Sequence, residues 1–417
     1  VNVLNPGDIK INYVRIYNKT GEFVDVSRMF VNITLYEDIM SAFKSGSILL
    51  TDSLSLNSML PFVGEEILDI SFETPMHEGD AFKYTGKFHI YKISAIENFK
   101  TKNAIIELQL ISIDGFVDMN TKLSQTFRGE PSVLVTKLLK TAQGLNTQAQ
   151  TIIEKTASNI AYTSNYWTPS QNIFYIAGES YNDYSNPNFL FFENKDGFTF
   201  VSLDTLYAQQ SVIEFIRDEK NREQTIDGHS VPNTEDQYAR ILDMSTKTMY
   251  DYIDRLQTGM YGSATYTYDV ETKKLRFLQR NAAYDFKSNK LNDVSGNELG
   301  LTFLPTAKLF TDIGHKSLYS NTVAQPFDKK IRRSALLKRA DSFKTNIKVF
   351  GRANYKVGDI VSLKVYANKE VSEKTPDGEL IDPLMSGRYL ISALSHEISS
   401  EAHFCNMELI RDSYQKV

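Results

Sequence analysis

The sequence predicts a β-dominated α+β fold: two duplicated small β-barrels, an α/β domain between them, and a subdomain inserted into the second barrel. Three observations carry this. Thr85-Gly86-Lys87-Phe88-His89-Ile90 reads like Ser386-Gly387-Arg388-Tyr389-Leu390-Ile391, and both runs continue without a gap to Ile106-Glu107-Leu108 and Met407-Glu408-Leu409, 301 residues apart. Upstream, Tyr36-Glu37-Asp38 leading to Gly46-Ser47 is matched by Tyr252-Ile253-Asp254 leading to Gly262-Ser263, only 216 residues on. The difference of 85 residues sizes an insertion in the second copy, between Asp269 and Gly358. The third observation is residue usage: 23 Tyr and 25 Phe against one Trp favour strands.

Residues 1–118 read as the first module. Short apolar runs at Ile9–Tyr17, Phe23-Val24, Val31–Leu35, Ser47–Thr51, Ile67–Phe72, Lys87–Ile96 and Ala104–Ile113 are punctuated by Gly46, Pro61, Gly64, Pro75 and Gly86. Residues 119–235 change character. Pro131-Ser132 opens a helix with Leu134, Leu138 and Leu139 on one face, and a second helix is expected around Ile173–Glu179. Phe189–Glu193 and Phe198–Val201 then form a hairpin across Asn194-Lys195-Asp196-Gly197. The polar stretch 219–234 reads as a linker. The second module is placed at 236–277 and 341–417, and the inserted subdomain at 278–340. The insertion is expected to be peripheral, with a helix over Phe327–Phe343. Gly64 and Gly358 precede matching strands, so Gly46, Gly64, Gly86, Glu107, Gly262, Gly358, Gly387 and Glu408 form the duplicated structural motif, with Gly86 overlying Gly387 and Glu107 overlying Glu408.

Bulk properties exclude several classes. At 417 residues the chain exceeds a single core. A net charge of −5 argues against a broadly basic nucleic-acid grip. The lone Cys405 excludes an internal disulfide and any multi-cysteine zinc site. No run is long and apolar enough to span a membrane, and Val1-Asn2-Val3 lacks a signal-peptide layout, so a soluble protein made in a cytoplasm is expected.

Catalytic signals are scarce. None of His77, His89, His229, His315, His396 and His403 stands in a zincin spacing, and His396 and His403 read as ordinary strand or loop histidines. There is no nucleophile elbow, no phosphate-binding loop and no dinucleotide fingerprint. Asp251 with Asp254, or Glu65 with Glu66, offers paired carboxylates for glycoside hydrolysis, but chance pairs are expected among 51 acidic residues. The basic run Lys329-Lys330-Ile331-Arg332-Arg333 to Lys338-Arg339 fits a solvated helix face over a buried stripe, or a contact with an acidic neighbour. No catalytic, cofactor-binding or metal residue is assigned.

Two copies of a β-module, the second interrupted, flank an α/β block that carries Phe127-Arg128-Gly129-Glu130-Pro131-Ser132 and the Phe191-Phe192-Glu193 to Asp196-Gly197-Phe198 hairpin. The closing stretch runs from Tyr355-Lys356-Val357-Gly358-Asp359-Ile360-Val361 through Ser386–Ile391 to Met407-Glu408-Leu409-Ile410-Arg411-Asp412-Ser413. Over nearly the whole chain this resembles the baseplate hub subunit of T-even-type contractile phages, a family related to the N-terminal core of type VI secretion spike proteins. The resemblance implies tube-like β-barrels and a homotrimer, a pseudo-six-fold ring that adapts a three-fold spike to a six-fold tail tube and leaves a DNA channel. The implied partners are a separate, tail-lysozyme-like spike protein, tail tube or tube-initiator proteins, the tape measure protein and baseplate wedge proteins. DNA would pass without specific binding, through a neutral to acidic lumen with Lys329, Lys330, Arg332 and Arg333 outside it. The location implied is the virion tail baseplate, assembled in the host bacterial cytoplasm, with no membrane insertion, no enzyme activity and no cofactor. A tailocin or secretion-type hub and a tail-associated cell-wall hydrolase are the alternatives.

Overall fold

The structure is a computed structural model that describes residues 6–52, 63–75, 79–98, 104–157, 159–217, 225–226, 229–230, 237–248, 251–269, 273–281, 290–292, 294–295, 307–312, 329–366 and 381–414. Much of the 278–340 segment and most of the 370–382 loop lie outside them.

The first module contains β1 (Lys10–Tyr17), β2 (Phe23–Asp25), β3 (Phe30–Asp38), β4 (Ser45–Asp52), β5 (Ile67–Glu73), β6 (Lys83–Asn98) and β7 (Ala104–Ser112). Its strands lie in the order β3-β4-β7-β6-β5-β1-β2, all antiparallel. Period-two alternation puts Val14 and Ile16, Ile33 and Leu35, Leu68, Ile70 and Phe72, and Ile106, Leu108 and Leu110 in one buried core. Gly46 permits the β3–β4 approach: an added Cβ would meet the Thr34 carbonyl oxygen at 2.5 Å. Gly46→Val should therefore lower the thermal midpoint, by about 2–4 °C per kcal/mol of strain at this domain size, measurable by calorimetry.

The middle domain starts at once with α1 (Ile113–Asn120), which the sequence reading missed. It continues through β8 (Thr126–Gly129), α2 (Pro131–Lys140), β9 (Gln150–Ile153), β10 (Ile160–Thr163), α3 (Pro169–Glu179), β11 (Phe189–Asn194), β12 (Gly197–Ser202) and α4 (Leu203–Tyr207). The expected hairpin is β11–β12, with Asn194 opposite Gly197, and β9 adds to it in parallel. Thr168 and Gln171 close a capping box at the start of α3. Leu134, Leu138 and Leu139 of α2 pack on Ile173 and Ile176 of α3 and on Phe191 and Phe198 of the hairpin.

The remaining elements are β13 (Ser211–Arg217), β14 (Thr225–Ile226), β15 (His229–Ser230), β16 (Ile241–Thr248), α5 (Tyr252–Gln257), β17 (Gly262–Asp269), β18 (Lys274–Asn281), β19 (Val294–Ser295), β20 (Ala307–Asp312), α6 (Lys329–Ala340), β21 (Phe343–Phe350), β22 (Ile360–Val365), β23 (Gly387–Ser399), β24 (His403–Arg411) and β25 (Ser413–Tyr414). The pairs β16-β21-β24-β23-β22-β13 repeat the order β3-β4-β7-β6-β5-β1. Five of these six strands match in direction as well. The sixth departs, since β13 runs parallel to β22 while β1 is antiparallel to β5.

This topology corrects the insertion boundary. In the second module β16 and β21 take the places of β3 and β4, so the interruption opens after Thr248 rather than near 278. Strands β17 and β18, read as part of the second barrel, form a separate sheet with β20. Gly262 therefore has no equivalence to Gly46; Thr345, opposite Leu409 as Gly46 is opposite Leu110, holds that position. Tyr252–Asp254 sits in α5 whereas Tyr36–Asp38 ends β3. Alternation marks a strand but does not name its partner, which is why the local likeness misled. Nor is the insertion wholly peripheral, because Ala340 of α6 enters the second module's core.

The hairpins β6–β7 and β23–β24 share a bulge, between Ile90 and Lys92 in one and Ile391 and Ala393 in the other. Gly86 opposite Ile70 and Gly387 opposite Leu363 lie on corresponding rungs. The second strand is out of step with the ungapped match. Glu408 faces Ala393, the rung on which Gln109 faces Lys92, while Glu107 faces Ala95. An extra bulge between Ile93 and Ala95 and a longer hairpin connection in the first module absorb the two residues. Gly64 and Gly358 both enter their strands with φ +89°.

Candidate assembly interface

The modules are joined edge to edge. Strand β3 pairs with the C-terminal half of β23, from Asp38 opposite Ala393 to Asn32 opposite Ser399, so both modules share one 13-stranded sheet. Duplication assigns each member of this junction a counterpart: β16 for β3, and the C-terminal half of β6 for that of β23. Among the described residues neither counterpart strand has a ladder partner on that edge. The exposures follow. Leu394 is 2% exposed beneath β3, whereas the corresponding Ile93 is 36% exposed; Ser392 is 6% exposed and the corresponding Tyr91 53%. Leu242 on β16 is exposed too. Two long uncovered edges carrying apolar side chains are surfaces that a folded protein pairs or protects.

At the intrachain junction lies a buried ionic node. Lys44, from the β3–β4 turn, has its Nζ 3.5 Å from Glu193 Oε1 of β11, and its backbone N–H donates to Glu193 Oε2 at 3.1 Å. Glu37 of β3 accepts from the Val357 N–H at 3.2 Å, while its other oxygen has no hydrogen-bond partner. Burial pushes the Glu37 carboxyl up to about 7, against the opposing pull of Lys44. Burial opposes the charge on Lys44, but Tyr84, Glu193 and Glu37 together hold its ammonium above the ordinary range. First module, middle domain and second module thus meet at one cation and two carboxylates. Beside the node, a cleft of about 740 Å³ between the first module and the middle domain is lined by Lys44, Ser112, Asp114, Glu193 and Lys195.

The carboxylate pairs considered for hydrolysis have structural work. Asp251 Oδ1 caps α5 by accepting from the Asp254 N–H at 2.9 Å. Glu66 accepts from the N–H groups of Val63 and Gly64, and Glu65 pairs with Lys19. The basic helix is not a solvated face. Lys329 is buried against Glu179, Arg332 donates to Asn186 Oδ1 at 2.7 Å, and Arg333 donates to the carbonyls of Ala177 and Pro187. Burial lowers the Arg333 guanidinium to about 10, with Glu179 pulling the other way. Helix α6 docks on the middle domain; Lys330 alone of the four basic residues is exposed.

His396 and His403, read as ordinary strand histidines, are brought together with Cys405, and all three are buried. The signal was available in the sequence: residues 403 and 405 share a strand face, and a tight turn sets 396 beside them.

No protein-family model and no curated protein matches the sequence. Solved structures do share the fold. A tail protein from Neisseria meningitidis MC58 superposes with a TM-score of 0.57 at 11% identity, covering 96% of each chain. The 43 kDa tail protein of prophage MuSo2 from Shewanella oneidensis gives 0.54 at 8% identity, covering 96% of this chain and 99% of that one. The fold is that of phage tail proteins, as the resemblance to the baseplate hub implied.

Proposed function

We propose that this chain is a structural hub of a contractile-tail baseplate, a homotrimer whose six modules form a pseudo-six-fold ring. One observation carries the reading: the β3–β23 junction is used once within the chain, and its duplicated counterpart, β16 with the second half of β6, stands open at both ends among the described residues. A head-to-tail contact of that kind either closes or propagates. Three chains supply the six modules that a six-fold tube requires, and closure pairs both of these edges. The ladder carried over from the intrachain junction sets Met244 opposite Asn98, Ser245 opposite Glu97 and Thr246 opposite Ile96 of the next subunit. In this reading the ring seats a three-fold spike on one side and the tail tube or its initiator on the other. Tape measure and wedge proteins are its further neighbours, DNA passes through unbound, and the protein contributes no catalysis.

A double variant Ile96→Cys, Thr246→Cys tests the register, since directly opposed strand residues lie within disulfide reach. Mild oxidation should give a covalent trimer of three 47.5 kDa chains on a non-reducing gel. Asn98→Cys with Thr246→Cys, two residues out of step, should not. Tyr91→Asp with Ile93→Asp should raise the trimer dissociation constant by about 100-fold or more, as for an interface core residue, while leaving the monomer folded. Monomeric wild-type protein at micromolar concentration, or cross-linking only in the shifted pair, would overturn the proposal.

A further inference from the structure

The junction between the modules holds a second feature that tail assembly does not require. His396 of β23 lies directly opposite Cys405 of β24, and His403 shares the β24 face with Cys405. His396 Nδ1 is 3.0 Å from His403 Nε2, Cys405 Sγ is 3.3 Å from His396 Nδ1, and Sγ is 3.7 Å from His403 Nε2. All three side chains are at most 1% exposed. The surroundings are apolar and aromatic: Phe72 packs on the His403 ring at 5.4 Å between centroids, and Tyr84 lies 5.8 Å from the His396 ring.

His396 Nδ1, His403 Nε2 and Cys405 Sγ face one another across a site closed to water, and each has a lone pair that a cation at the centre would take as a ligand. Metal–nitrogen bonds of about 2.0–2.1 Å and a metal–sulfur bond of about 2.3 Å give ligand-to-ligand edges of about 3.3–3.6 Å in a tetrahedral arrangement, and the observed triangle spans that range. The first module has no such set: the rung matching His396 with Cys405 pairs Ile96 with Ile106. Symmetry between the modules therefore does not demand these residues.

We infer that His396, His403 and Cys405 form a closed structural site for a thiophilic d10 cation, copper(I) or zinc(II), which fastens the second module's hairpin beneath the first module's core. Binding expels the thiol proton to solvent and leaves each imidazole protonated at its distal nitrogen; no electron is transferred. Two neutral imidazoles and one thiolate suit soft metals. A monovalent ion would leave the site neutral, which an apolar core favours. The hairpin also holds the N-terminal segment, since the His403 N–H donates to the Gly7 carbonyl at 2.7 Å, so the cation would tie three parts of the chain together.

Metal analysis of the full chain, expressed with copper or zinc supplied and then passed through excess chelator, tests the site. The expected result is one equivalent per chain, with the element identifying which of the two ions is held. Cobalt substitution of the wild-type protein should give thiolate-to-cobalt charge-transfer absorption, a readout that needs no variant to fold. Cys405→Ser, checked by circular dichroism, should hold less than a tenth of an equivalent. Stripping wild-type protein under denaturant and refolding it without metal should lower its thermal midpoint by several degrees, with recovery on adding the ion. Absence of stoichiometric metal from wild-type protein, absence of the charge-transfer band, or equal retention by folded Cys405→Ser would overturn the proposal.

Discussion

Replacing Lys44 by methionine should cost about 3–5 kcal/mol of stability, because it leaves the Glu193 and Glu37 carboxylates buried without the cation they share. Methionine conserves the aliphatic stem, so the loss reports charge rather than packing. The comparison is Lys19→Met, whose partner Glu65 is an exposed pair and should change stability by less than about 1 kcal/mol. Denaturant midpoints of both variants against wild type, at one protein concentration, measure the contrast. A loss at Lys44 no larger than that at Lys19 would show that water reaches the node and screens it.

The second large effect is a pH dependence centred on Glu37. Its folded-state carboxyl titrates at about 7, above the 4.5 of an unperturbed glutamate, so the folded protein holds this proton more tightly than the unfolded chain does. The stability linked to that proton is fully present below the unfolded value and is lost as pH rises from there to about 7. A displacement of this size corresponds to about 3 kcal/mol. Glutamine keeps an oxygen for the Val357 N–H but has nothing to ionise. Thermal midpoints of Glu37→Gln and wild type between pH 5 and 8 should therefore diverge in favour of the variant as pH rises. Parallel curves would mean that Lys44 already compensates the ionised carboxylate.

Much of the architecture was legible along the chain. The strands of the first module follow from alternation and glycine punctuation, and α2 follows from Pro131 with its leucine stripe. The β11–β12 turn follows from Asp196-Gly197, with Gly197 at φ +136°. What failed was assignment across space. Gly262 and Glu107 were matched by local likeness to residues that occupy other rungs, because a strand pattern carries no address for its partner and a bulge shifts the count without altering the pattern. Helix α6 looked like a solvated basic face because sequence does not show the carbonyls of Ala177 and Pro187 waiting to receive Arg333.

Periodicity and turn chemistry, which are local properties of the chain, specify two related β-modules around an α/β domain. Where the second module is interrupted, and that β3 rather than β16 is the edge already paired, depend on the folded whole. Those outcomes rest on which strand edges come within hydrogen-bond distance. Such proximity is set by long-range pairing and burial of the whole chain, and no window of sequence contains it.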